Sequence, residues 1–101
     1  MLFLVISTPR RAIITPTLLE ARLAFRKWIK SLGERVVCFY PREDRGAIII
    51  FDLASRRALD AILRGWRAFI PVRLDVYPLQ DPTAAETLLR NELRRLAKKE
   101  K

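Results

Sequence analysis

Arg73, Asp75 and Tyr77 alternate with Val72, Leu74 and Val76 along a short segment ending at Leu79. A strand repeats every two residues, so this spacing sets the three polar side chains on one face and the aliphatic ones on the other. Together they form a small chemical kit. The Asp75 carboxylate can serve as a base, and the Arg73 fork can hold a carboxylate bidentately. The Tyr77 hydroxyl can donate to a developing enolate oxygen. Tyr40, near the end of an earlier apolar segment, is the fourth candidate. Asp75, Tyr77 and Tyr40 are therefore the expected catalytic residues, and Arg73 the expected substrate-binding residue. The competing reading is a structural Arg–Asp pair at an interface or edge, with Tyr77 packed at its rim.

Other chemistries are poorly provided for. Histidine is absent, which removes the easiest base at neutral pH and the commonest metal ligand. No metal site is expected. The single cysteine, Cys38, lies among Val36, Val37 and Phe39 with no neighbouring base to activate it, and reads as a buried structural thiol. One cysteine forms no internal disulfide, which suits a reducing cytoplasm. The apolar start, Met1–Ser7, is too short to span a membrane and lacks a basic leader, so neither a signal peptide nor a membrane partner is expected.

The formal charge is +9, from 15 Arg and 5 Lys against 11 acidic residues. Such a chain is drawn to polyanions at low salt. Its basic residues are scattered, so weak, non-specific nucleic-acid binding is the expectation, set against a merely solvated arginine-rich helix layer. Arg45-Gly46 before an apolar strand, and Leu2-Phe3-Leu4, resemble the RNP1 and RNP2 segments of RNA-recognition domains. The RNP1 stacking positions read as Ala47 and Ile49, and aliphatic residues offer no π-face for a base.

These residues need elements to position them. Residues 2–7 read as a first strand. A helix follows from Thr15-Pro16-Thr17, with Thr17 and Glu20 as a capping box and Gly33 just past its end. Val36–Tyr40 and Ala47–Asp52 form a hairpin around a charged turn. Ser55 caps a second helix that stops before Pro71, and Val72–Leu79 is the fourth strand. Asp81-Pro82 starts a third helix with the stripe Ala85, Leu88, Leu89, Leu93 and Leu96, and the tail Lys98–Lys101 is expected to fray. The order β-α-β-β-α-β plus one helix predicts an α+β fold, the ferredoxin-like plait. Residues 1–80 form the domain, and residues 81–101 an amphipathic helix packing on the same or a neighbouring subunit.

Ala47-Ile48-Ile49-Ile50-Phe51 and Leu2–Ile6 are apolar at every position. Strands greasy on both faces must be covered on both, and this chain has helices for one. A second copy packed sheet to sheet is the expected cover, giving a dimeric α+β barrel.

Met1-Leu2-Phe3-Leu4-Val5, Phe51-Asp52-Leu53-Ala54-Ser55 with Ala58-Leu59-Asp60, and Phe69-Ile70-Pro71 with Leu74-Asp75-Val76-Tyr77-Pro78-Leu79 resemble the muconolactone-isomerase-like and related small dimeric α+β barrel families over roughly residues 1–80. The resemblance implies oligomers built from dimers, no cofactor, and a proton shift in an unsaturated lactone. The expectation is thus a cytoplasmic homo-oligomer that binds a small anionic organic molecule and, if an enzyme, is a cofactor-independent isomerase. The alternative is a non-enzymatic basic protein that binds nucleic acid or serves as a structural assembly unit.

Overall fold

Every second residue at the start of the first strand is buried: Phe3, Val5 and Ser7. That period of two fixes which face meets the helices. The computed structural model describes residues 1–10 and 13–99, so Arg11 of the first loop lies outside the described residues. The elements are β1 (Leu2–Pro9), α1 (Pro16–Ser31), a 3-10 turn (Gly33–Arg35), β2 (Val36–Pro41), β3 (Ala47–Asp52), α2 (Arg56–Phe69), β4 (Val72–Leu79) and α3 (Pro82–Lys99). The chain is α+β, with one four-stranded antiparallel sheet in the order β2-β3-β1-β4.

The helix starts follow their capping chemistry. Thr15, not Thr17, caps α1: its hydroxyl accepts from the Leu18 amide at 3.1 Å, and Pro16 takes the first helical position. The expected Thr17–Glu20 box is thus displaced by a threonine placed just ahead of the proline, where an amide donor is not needed. Ser55 caps α2 as expected, accepting from the Ala58 amide at 3.1 Å. Asp81 does the same for α3 through Ala84. Gly33 ends α1 in the left-handed region at φ 61°, which a side chain rarely adopts. The helix α3 runs to Lys99, past the expected fraying point; Glu100 and Lys101 lie outside the described residues.

One core forms between α1, α2 and a single sheet face. Phe3, Val5, Ile49 and Phe51 from the central strands meet Phe25 and Ile29 of α1 and Leu59, Leu63 and Trp66 of α2. Phe25 stacks on Trp66 at 4.9 Å between ring centroids, and Trp28 lies 5.3 Å from Phe69. Each such aromatic pair adds about 0.5–1.5 kcal/mol beyond the area it buries. The helices can approach this closely because position 65 is glycine: a Cβ there would sit 2.9 Å from the Trp28 ring.

Among the described residues the opposite sheet face has no such layer. Leu2, Leu4, Ile6, Ile48 and Ile50 point away from the helices and are only half-buried. No residue of α3 is buried either, and Leu88, Leu89, Leu93 and Leu96 are all exposed. The radius of gyration is 18.3 Å and the long dimension 67 Å, against about 13 Å for the radius of a compact chain of this length. The helix, about 27 Å long at 1.5 Å per residue, accounts for the excess by standing off the body.

Candidate functional site

The register assigns every candidate to the open face. Tyr40 pairs with Ile48, Ile48 with Ile6, and Ile6 with Asp75. One row across the sheet therefore reads Tyr40–Ile48–Ile6–Asp75. The next reads Cys38–Ile50–Leu4–Tyr77. Arg73 lies beside Thr8 at the end of β4. The polar groups thus stand on the two edge strands, and the apolar side chains of β1 and β3 form the floor between them.

Arg73, Asp75 and Tyr77 share one face of β4, and of the three Arg73 and Asp75 are in contact. The Arg73 guanidinium meets the Asp75 carboxylate at 3.3 Å, on the same face of one strand. Tyr40 does not join them within the chain. Three strand spacings of about 4.8 Å put it roughly 14 Å from Asp75. Arg73 is 73% exposed and Asp75 32%, and Tyr40 and Tyr77 are both well exposed. The sequence pattern was sufficient to place these residues on one face, but the strand order sets how far apart they lie.

The base-stacking comparison changes register. Ala47, Ile49 and Phe3 are buried toward the helices. The outward positions of the central strands are Ile48, Ile50, Leu2 and Leu4. The residues expected at the stacking positions belong to the core, and the true outward ones are aliphatic. Neither central strand offers a π-face to a base. Cys38 is half-buried on the open face beside Ile50, rather than fully buried.

Sequence reasoning missed the charged turn as a site. Its arginines, Arg42 and Arg45, meet Arg22 and Arg26 of α1 around a cleft at one end of the sheet. No spacing rule joins residues 22 and 45; only the fold brings the hairpin over α1. Among the described residues no group of three or more His, Cys, Asp or Glu side chains is arranged to hold a metal ion, and no helix is long and apolar enough to cross a membrane.

Compared with known proteins, the chain matches no protein-family model and has no significant match among curated proteins.

A pair as exposed as Arg73–Asp75 is screened by water, and such pairs couple by about 0.2–1 kcal/mol. A double-mutant cycle of Arg73→Met and Asp75→Asn, read by chemical denaturation in low salt, is expected to fall in that range and shrink with added salt. A coupling of several kcal/mol would show that the pair is desolvated in solution.

Proposed function

We propose that the chain is a ferredoxin-like α+β-barrel subunit that dimerises through its open sheet face and acts on a small organic anion at the rim of that face. The observation that carries this reading is the uncovered apolar floor of Leu2, Leu4, Ile6, Ile48 and Ile50 on the two central strands. The order β2-β3-β1-β4, with β-α-β-β-α-β connectivity, supports the plait. Contiguous uncovered aliphatic surface rimmed by polar residues is the usual character of an interaction surface.

Dimer geometry also answers the separation of the candidates. When the two-fold axis runs along the strands, β2 of one copy lies over β4 of the other. The Tyr40 edge of each subunit then closes on the Arg73–Asp75–Tyr77 edge of its mate, and two composite sites form. In each, Arg73 would hold the carboxylate, Asp75 would move a proton, and the tyrosines would donate to the enolate oxygen. Removing water strengthens each of these interactions. The resemblance over residues 1–80 supports cofactor-free proton transfer in an unsaturated lactone as the reaction.

The area argument assigns α3 a part. Four strands at about 4.8 Å spacing, each six to eight residues at about 3.3 Å, present a plane of roughly 400 Å². Stable interfaces bury about 800 Å² on each partner. The exposed leucines of α3 supply apolar surface for the remainder by reaching across to the neighbouring copy.

Neighbouring residues on β3 separate the two faces. Ile49→Lys places an unpaired charge in the core and is expected to unfold the chain. Ile48→Lys is expected to leave a folded monomer by circular dichroism and sedimentation. A folded Ile48→Lys dimer would remove the sheet-face reading. For the chemistry, the wild-type chain is expected to accelerate deuterium uptake by an unsaturated γ-lactone bearing a carboxylate side chain, followed by NMR in heavy water. Asp75→Asn is expected to lose about 10²–10⁴-fold of that rate. No acceleration by the wild type, or an equal rate in Asp75→Asn, would leave the dimer without this activity.

A further inference from the structure

We infer a second anion site on the helix side of the sheet: the cleft where Arg22 and Arg26 of α1 face Arg42 and Arg45 of the β2–β3 hairpin binds a small organic oxyanion with an apolar body. The inference is independent of the dimer and shares with the preceding reading only the class of ligand.

The charge balance distinguishes this cleft from the sheet rim. On the rim, Arg73 is offset by Asp75. Here, among the described residues, no carboxylate lines the cleft, and of its four arginines only Arg42 has an acidic partner, Asp44 at 2.8 Å. Arg22, Arg26 and Arg45 border the same cleft and make no ion pair among the described residues. Like charges brought together in a folded chain repel, so an anion shared between them would be held strongly.

Two further observations concern the arginines of the cleft. The Nε of Arg22 is buried with no hydrogen-bond partner. That unmade hydrogen bond leaves the half-buried Arg22 guanidinium incompletely satisfied within the chain. Arg45 is the one non-glycine among the described residues with positive φ, at 71°. That strained conformation is held by the turn: the Arg45 amide donates to the Arg42 carbonyl at 3.1 Å, and the Arg42 amide to the Gly46 carbonyl at 2.8 Å. The hairpin is pinned to β1 as well. Arg42 donates to the Ser7 carbonyl at 3.3 Å, and a Cβ at Gly46 would lie 2.2 Å from that same oxygen. Strain kept at a cleft by a rigid surround is a mark of a positioned group.

The walls define the rest of the ligand. Phe25, Phe39 and Ile70 line the cleft beside the arginines, and its volume is about 160 Å³. Cavities near 150 Å³ take one six-membered ring. The fitting class is therefore a ring-sized molecule carrying a carboxylate or a phosphate.

Titration calorimetry at fixed ionic strength with benzoate, phenyl phosphate, inorganic phosphate and neutral benzyl alcohol tests this. In the Arg73→Met variant, where the rim arginine is absent, one-to-one saturable binding of benzoate or phenyl phosphate, tighter than inorganic phosphate and absent for benzyl alcohol, is expected; which of the two binds tighter identifies the head group. Arg22→Gln, and separately the exposed Arg45→Gln, should each weaken it by about tenfold or more, the loss of one charge-assisted hydrogen bond. Arg94→Gln on α3 and the Ile48→Lys variant should leave it intact. Failure of the dimer or of the rim chemistry would thus not touch this result. Absence of saturable binding by all the anions, or equal weakening by Arg94→Gln, would overturn the inference.

Discussion

Two central strands are apolar on both faces, and only one of those faces is covered. The rest of the molecule follows from this constraint. On the helix side, Phe3, Val5, Ile49 and Phe51 complete a core with Phe25, Leu59 and Trp66. On the other side, Leu2, Leu4, Ile6, Ile48 and Ile50 have no second layer among the described residues. The hydrophobic effect acts on both sets alike, at about 25 cal/mol per Å². The proposed dimer satisfies the second set with a copy of itself.

The same constraint orders the chemistry. An apolar floor forces polar groups to the edges, so Arg73, Asp75 and Tyr77 occupy β4 and Tyr40 occupies β2. A single sheet of this width cannot bring its two edges together. The proposed two-fold pairing can, and it would make the rim site depend on assembly. The arginine cleft has the opposite character: its lining comes from α1, the β2–β3 hairpin, Ser7 and Ile70 of a single chain.

Much of the fold was legible because local rules and burial agreed. The strand β3 reads Ala47–Asp52 from the sequence and in the structure, and Val72, Leu74 and Val76 of β4 pack on the core as the sequence spacing implies. Ser55 and Asp81 cap their helices as their positions imply. The first cap was misplaced because Thr15 and Thr17 both flank Pro16, and only the backbone shows which hydroxyl meets the Leu18 amide. The face assignment of Ala47 and Ile49 was not legible, since five apolar residues in a row carry no alternation to read. The site followed the same division. A common face for Arg73, Asp75 and Tyr77 is a local property of one strand. The distance to Tyr40 and the meeting of Arg22 with Arg45 are properties of topology, which no spacing in the sequence encodes.

The central claim, that the open sheet face is covered by a second copy, is tested most directly by the mass of the unmodified chain in solution. Sedimentation equilibrium across the micromolar range is predicted to give a multiple of the 11.8 kDa chain mass, with two copies as the smallest species. A single 11.8 kDa species, folded and stable throughout that range, would contradict it.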